Sequence, residues 1–468
     1  MTLTRTLATW MAETDPLASG EALRLARNAM IDIVGCMIAG GPDEATRRTF
    51  DAVSDLGDGP ASIVGDAARL TAPHAALVNG TAAHALDFDD NYHGNCGHAT
   101  AVLAPALLAL AEERGAGGTA VLDAYISGLE AMHVVGAGVN IAHYEKGWHT
   151  TCTIGVIGAA GAAARLAGLD VDGVQRALSL GFSHASGSKV QFGNMAKPFH
   201  AGMGAKNALM AARYAEAGIT AVDEPLEKPW GFRDLYIGFD ASPGYENAAD
   251  ELGPPLAIER FGLKVKIHPD CASTHCAVDG VLNIMAEHGL TADDIDTVET
   301  IVNKISSDNL MFPEPKSEME ARFSMEYAIA LAILHGVLKL ADFQPEAIGN
   351  PAVRAWLPRI KMTMKPVDDP LPTADNGREP AQVIVNTKDG RSFEAFNQRA
   401  RGVLQNPLSD DEMWAKFDDC VAGVMDAGRA AEVRACLETF ETLDNVGDMM
   451  GLFSAPSCPP PPTVQPAF

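Results

Sequence analysis

The stretch Thr153-Ile-Gly-Val-Ile-Gly-Ala-Ala-Gly-Ala-Ala-Ala-Arg-Leu-Ala-Gly-Leu169 carries a single charge, Arg165. A helix apolar on every side belongs in the middle of a bundle, not on its surface. Small side chains leave short gaps between helix axes, so the bundle around this helix must be closely packed. The uncharged run, Thr150 to Ala164, is about 15 residues, short of the ~20 that span a bilayer. The reading is a buried helix of a folded domain.

Outward from that helix the chain repeats the pattern. Ser19 precedes EALRLARNAMIDIVGCMIAG, apolar at spacings of three and four and stopped at Gly40-Gly41, which is how a helix starts and ends. Further helices are predicted near 70–86, 99–115, 118–139, 172–186 and 201–218. After Phe261 the texture changes. Asp296-TVETIVNKIS and Pro358-RIKMTMKP are strand-like, AQVIVNTKDGRSFEAF reads as a hairpin around Lys388-Asp389-Gly390, and helices are expected at 276–288 and 323–341. Helix returns from Asp410. The predicted fold is mainly α: a large all-helical domain formed by both chain ends, 1–261 plus 403–468, with an α+β domain, 262–402, inserted in it. The tail PSCPPPPTVQPAF is expected to be extended or disordered.

The bulk properties narrow the function. A chain of 468 residues with 47% hydrophobic content is too long for one compact core and has ample apolar material for two. A formal charge of −26 argues against nucleic acid and against an anionic membrane surface, both of which need a basic face. An anionic ligand would then require a local cluster of Lys, His and helix N-termini. The cysteines at 36, 96, 152, 271, 276, 420, 436 and 458 form no CxxC pair, and this favours a reducing cytoplasm over a disulfide framework. The N-terminus has no apolar core of the kind a signal peptide needs.

Chemistry concentrates in Asp87-Phe-Asp-Asp-Asn-Tyr-His-Gly-Asn-Cys-Gly-His98, with three carboxylates, two imidazoles and a thiol between two apolar segments. Burying so many ionisable groups costs free energy unless they are paired. Four more clusters lie at or near predicted helix starts: Tyr144-Glu-Lys-Gly-Trp-His149; Lys189 with Met195-Ala-Lys197-Pro-Phe-His200; Lys266-Ile-His268-Pro-Asp-Cys271-Ala-Ser-Thr-His275; and Phe323-Ser-Met-Glu-Tyr327. Taken singly, Asp87, Asp89 and Asp90 are better explained as helix caps, His149 as a loop end, and Tyr327 as a core residue with one satisfied hydroxyl. A Lys entering an apolar stretch, as at Lys197, needs a partner.

LVNGTAAHALDFDDNYHGNCGHA, GWHTTCTIGVIGAAGAAARLAGL, AKPFHAGMGAKNALMAARYAEAGIT and FSMEYAIALAILHG resemble, in this order, the hallmark segments of the MmgE/PrpD family, from about residue 20 to 400. Members of that family include 2-methylcitrate dehydratase, cis-aconitate decarboxylase and iminodisuccinate epimerase. The resemblance implies an inserted α+β lid, an active site free of metal and cofactor between lid and helical domain, a small di- or tricarboxylate substrate and a homodimer. By motif it places Asp87, Asn91, His98, His149, Lys197, Lys266 and Tyr327 in the site. Tyr144 resembles the tyrosine proposed to transfer protons in the epimerase branch. This chain also departs from the family pattern: His98-Ala-Thr and His149-Thr-Thr replace His-Pro-Ser and His-Pro-Thr, Asn91 replaces a threonine, and Ile333-Leu-His-Gly336 replaces LLDG. Lys189 and Cys271 replace an apolar residue and a lid histidine of the decarboxylase, which argues against that reaction.

On this reading Lys197, Lys266 and Lys189 stabilise charge on a substrate carboxylate in a water-poor site. His98 and His149 exchange the proton beside that carboxylate, and Asp87 orients an imidazole. Tyr144 or Tyr327 hands a proton to a leaving hydroxyl. Asn91 and His275 join the substrate-binding set. Dehydration of a 2-methylcitrate-like hydroxy-polycarboxylate is the first expectation, and epimerisation of an amino- or imino-polycarboxylate, iminodisuccinate-like, the second. A rival is a metallohydrolase ligated by Asp87, Asp89, His93, Cys96 and His98, although no HExxH or paired-cysteine signature accompanies that loop.

Overall fold

The computed structural model describes residues 1–239, 244, 245, 247–373 and 379–453. The tail from Pro456 onward, expected as extended or disordered chain, lies outside them. The small-residue run forms helix Thr150–Leu166, and every residue from Thr150 to Ala164 is buried. Around it pack helices Thr100–Arg114, Gly118–Ala137, Val171–Phe182 and Ala196–Glu216, and helix Ala72–Ala85 packs in turn on Thr100–Arg114 and Ala196–Glu216. Both chain ends close the same core: Leu7 and Met11 enter it from helix Leu3–Glu13, and Met413 and Phe417 from helix Asp410–Val421.

One close approach sets up everything that follows. Helices Ala72–Ala85 and Ala196–Glu216 cross at Gly80 and Gly202, where a Cβ on Gly80 would sit 2.8 Å from Gly202 Cα. Glycine at the crossing lets the two backbones touch. His84 and Lys197, one on each helix, come within 3.0 Å as a result. The second helix starts at Ala196, earlier than the spacing predicts, because Pro198 sits in the first turn, where its missing N–H is no loss.

The second core is sheet-based. Strands Ile360–Met364, Ile295–Val302, Ala381–Thr387 and Ser392–Asn397 lie side by side in that order; the first pair is parallel and the others antiparallel. Strand Ala381–Thr387 alternates buried and half-buried residues, as expected for a sheet with one covered face. Helices Ala272–His288 and Met325–His335 supply that cover. The expected helix over 323–341 ends early at Gly336, whose φ is 77°, and a short 3-10 turn, Leu340–Phe343, follows. The architecture is thus a mainly helical domain with a smaller sheet-containing one, as the sequence suggested. The helical part adds one feature the sequence reading lacked, a hairpin of Asp58–Ile63 with Asp66–Leu70.

The chain crosses between the two cores twice, and the crossings touch. Val265 N–H donates to the Gly402 carbonyl at 2.9 Å. Beside them Asn91–Tyr92 pairs with Leu263–Lys264 in a short antiparallel ladder, which ties the polar loop to the entry of the second domain. No described helix is long and apolar enough to cross a membrane.

Candidate active site

Helix Ala72–Ala85 gives way at Leu86 to Asp87, whose φ is 49°, a left-handed conformation that Asp tolerates better than most residues. Its Oδ1 accepts from Lys197 Nζ at 2.7 Å and from Lys266 Nζ at 3.0 Å. Lys266 Nζ also donates to the Asp87 carbonyl at 2.6 Å, and His98 Nε2 lies 3.6 Å from the same Oδ1. Three segments remote in sequence meet at one oxygen. Burial would raise the Asp87 pKa, but Lys197 and Lys266 outweigh it and hold the carboxyl well below the usual carboxylate range. For Lys266, burial pulls down while Asp87 and Asp89 prevail, so its pKa rises. Both lysines gain the partner that burial demands.

Asp89, fully buried, faces two imidazoles. His84 Nδ1 lies 2.8 Å from its Oδ1 and His98 Nδ1 lies 2.9 Å from its Oδ2. Burial raises its pKa, and the two histidines reverse the effect to hold it well below the ordinary value. Burial lowers His84 to about 3 against the pull of Asp89, and lowers His98 with Asp89 again opposing. Burial thus favours the neutral form of both rings. His98 Nε2 approaches Asn91 Nδ2 at 3.3 Å, while Asn91 Oδ1 has no hydrogen-bond partner among the described residues.

His149 is the residue before helix Thr150–Leu166, at a terminus that carries partial positive charge. Its Nδ1 meets His200 Nδ1 at 3.0 Å, and its buried Nε2 has no partner among the described residues. Burial first, then Lys197 and His200, drive its pKa well below normal. The ring stacks 5.9 Å from His84 and stands edge-on to Phe192. Phe192 and Phe323, the latter from the sheet-containing core, place their rings 5.3 and 5.1 Å from Lys197 Nζ, so the buried ammonium is walled by aromatic carbon.

A cavity of about 100 Å³ adjoins this cluster, lined in part by Asn91, Cys96, Tyr144, Lys264 and Glu379. Asn91 belongs to both, lining the cavity and approaching His98 Nε2. Tyr144 Oη donates to Asn309 Oδ1 at 2.9 Å across the domain junction, and Lys189 Nζ sits 3.6 Å above its ring. Burial lowers the Lys189 pKa and raises that of Tyr144 well above its normal value.

Of the residues singled out from sequence, Asp87, Asn91, His98, Lys197 and Lys266 converge in direct contact, and His149 packs beside them. Tyr144 lines the cavity and Lys189 sits over its ring. Two lie elsewhere. Tyr327 Oη donates to the Asp342 carbonyl at 2.8 Å inside the second core, and His275 Nε2 pairs with Asp270 Oδ1 at 3.0 Å in helix Ala272–His288. His84 was not among the sequence candidates. Its signal is faint: an imidazole in an apolar helix, five residues before Asp89.

Among the described residues, the metal-ligand types that converge are His84, Asp87, Asp89 and His98, with donor atoms within 4.8 Å of one another. They do not suit a resident metal. The Asp87 oxygen already takes two ammonium groups, and an entering cation would meet both. His93 and Cys96, proposed ligands in the rival reading, are not in this group; the His93 ring instead stacks on Phe261 at 6.2 Å.

A helical domain and a sheet-containing domain that meet over buried lysines, imidazoles and carboxylates define a two-domain architecture with its polar cluster at the junction. The profile of the MmgE/PrpD N-terminal domain matches residues 5–242, and that of the MmgE/PrpD C-terminal domain residues 268–441. The chain belongs to the MmgE/PrpD family. It is similar to a cis-aconitate decarboxylase of Homo sapiens, 27% identical over 414 residues, covering 84% of this chain and 81% of that one. The corresponding protein of Mus musculus is 28% identical over 407 residues, covering 83% and 80%. A cis-aconitate decarboxylase-like protein, oryM, of Aspergillus oryzae is 24% identical and covers 97% of each chain.

Proposed function

We propose that the protein is a metal-independent lyase acting on a small di- or tricarboxylate by moving a proton at the carbon beside a carboxylate. The observation that carries this reading is the junction itself: a buried His98 with Nε2 3.6 Å from an Asp87 oxygen that gathers Lys197 and Lys266. Substrate enters through the cavity and displaces Asn91 from His98 Nε2. The imidazole takes the proton, and negative charge grows on the carboxylate oxygens as an enediolate forms. Lys197, Lys266 and the N-terminus of helix Thr150–Leu166 meet that charge in a dry site, where preorganised donors are most effective.

For a hydroxy-polycarboxylate the cycle closes when the β-hydroxyl leaves with a proton supplied by His149 or Tyr144, giving water and an alkene. This dehydration is the reading we place first. Decarboxylation stands second, favoured by the printed names of the relatives: CO2 departs, its electron pair stays on the adjacent carbon, and the Tyr144 hydroxyl gives that carbon a proton that solvent then replaces. We also propose a homodimer in a reducing cytoplasm, supported by family membership and by the free thiols of Cys36, Cys96, Cys152, Cys271, Cys276, Cys420 and Cys436.

Proton NMR in D2O with hydroxy-tricarboxylates, unsaturated tricarboxylates and amino-dicarboxylates separates the outcomes. Water loss supports the first reading and CO2 release the second, whereas deuterium exchange with no change of composition indicates epimerisation. Inertness toward the whole panel, or activity abolished by stripping a stoichiometric metal, overturns the proposal.

A further inference from the structure

We propose that His84 and Asp89 are positioning residues: Lys197 fixes the tautomer of His84, and Asp89, held by His84, fixes that of His98, leaving the His98 Nε2 lone pair toward Asn91. The inference follows from counting donors and acceptors along one buried chain of contacts. A lysine ammonium can only donate. Lys197 Nζ sits 3.0 Å from His84 Nε2, so that nitrogen must be the acceptor, and the His84 proton must reside on Nδ1. His84 Nδ1–H then donates to Asp89 Oδ1 at 2.8 Å. An ionised carboxylate is acceptor only, and its second oxygen stands 2.9 Å from His98 Nδ1; the approach is off the line of an ideal hydrogen bond, but a negative oxygen at that distance favours a proton over a lone pair on the nitrogen. That places the His98 proton on Nδ1 and its lone pair on Nε2. Asn91 Nδ2, a donor at 3.3 Å from that Nε2, agrees with the same assignment from the other side.

The chain runs Lys197, His84, Asp89, His98, and every member is buried. Asp87 closes it into a ring, touching Lys197 at one end and lying 3.6 Å from His98 Nε2 at the other. The Asp87 oxygen that faces His98 Nε2 at 3.6 Å is beyond hydrogen-bond reach and already accepts from Lys197 and Lys266, so it does not claim the His98 proton. Lys266 is engaged by Asp87, and the buried Asp32 has Lys416 as its cation. Asp90 is driven toward its neutral acid by burial, then by Asp32. The ring rationalises why an imidazole with no signature motif sits one turn from the Gly80–Gly202 crossing. Without His84, Asp89 would still orient His98, but the link to Lys197 would be cut.

The role of His98 as base rests on the function proposed above, but its tautomer does not, and the two are measured separately. In protein carrying 15N-labelled histidine, long-range 15N–1H spectra at pH 7 should show His84 and His98 protonated on Nδ1 and bare on Nε2; His84→Gln and His98→Asn assign the signals. In Asp89→Asn the amide has one acceptor and one donor. His84 keeps the oxygen because Lys197 still fixes its tautomer, so the amide N–H2 must face His98 Nδ1 and the His98 proton must move to Nε2. The expected result is that switch, with turnover falling by about 10⁴, as for the corresponding substitution in a serine-protease triad. A wild-type His98 protonated on Nε2 overturns the proposal outright, and this spectrum decides even if Asp89→Asn fails to fold. A folded Asp89→Asn whose His98 stays protonated on Nδ1 overturns it as well. The expected switch on a protein inert toward every carboxylate would leave the tautomer assignment standing and sink only the lyase reading.

Discussion

Lys416 and Lys197 are both buried lysines held by buried aspartates at the two flanks of one polar loop, yet they do different things. Lys416 Nζ lies 2.5 Å from Asp32 Oδ1, donates to the Phe88 carbonyl at 2.7 Å and sits 4.0 Å over the Phe88 ring. Charge is matched one to one. The pair joins helix Gly20–Gly40 to helix Asp410–Val421, and so fastens the returning chain end to the domain. Lys197 instead shares Asp87 with Lys266, and its surroundings include the unpartnered polar atoms His149 Nε2 and Asn91 Oδ1. A buried ion pair by itself marks structure. Two lysines gathered on one carboxylate oxygen, beside unspent donors and acceptors, mark a place prepared for a ligand.

The sharpest test of that contrast removes each lysine. Lys197→Ala and His98→Ala, made separately, should fold and lose about 10³-fold or more in turnover, the scale of a lost electrostatic donor or general base. Either variant retaining wild-type kcat while folded removes that residue from the mechanism. Lys416→Ala should do the opposite. It strands the Asp32 charge and should cost about 3–5 kcal/mol of stability, read as a fall in denaturation midpoint, with normal kcat per folded molecule. Asp32→Leu combined with Lys416→Met should recover most of that loss, since an apolar replacement of a buried pair is often neutral.

Acid should weaken the fold through the histidines. Burial lowers His84 and His143 to about 3 and His200 to about 4. Below the ordinary histidine value near 6.5 the unfolded chain takes up protons that the folded one refuses. Stability is therefore full above about 6.5 and falls progressively toward pH 4. His143 lies outside the lysine cluster and bonds Thr153 Oγ1 at 2.7 Å; His143→Asn should flatten the slope of melting temperature against pH by one proton. An unchanged slope would rule out that origin.

The smallest effects should separate the two tyrosines. Tyr144→Phe loses a hydroxyl that spans the two domains, worth about 1 kcal/mol, and should lower kcat/KM up to tenfold. Tyr327→Phe loses a comparable bond inside one core and should alter the melting temperature only. Equal kinetic effects would show that Tyr327 reaches the site after all.

What could be read in advance was periodic or conspicuous. The small-residue runs announced the helical core, because helix burial follows from which residues recur every three to four positions. The alternation in AQVIVNTKDGRSFEAF announced the hairpin seen at Ala381–Thr387 and Ser392–Asn397 for the equivalent reason in strands. The density of charge in 87–98 likewise flagged a burial problem that some partner had to solve. Tertiary structure alone decided which partner. Lys197 and Lys266 lie 110 and 179 residues from Asp87, and no local pattern encodes a separation like that. His84 and Tyr327 show the same limit from both sides. One is an unremarked imidazole that a glycine crossing carries into the cluster, the other a motif tyrosine whose hydroxyl is spent on a backbone carbonyl, because contact is set by where helices cross rather than by which residues they carry.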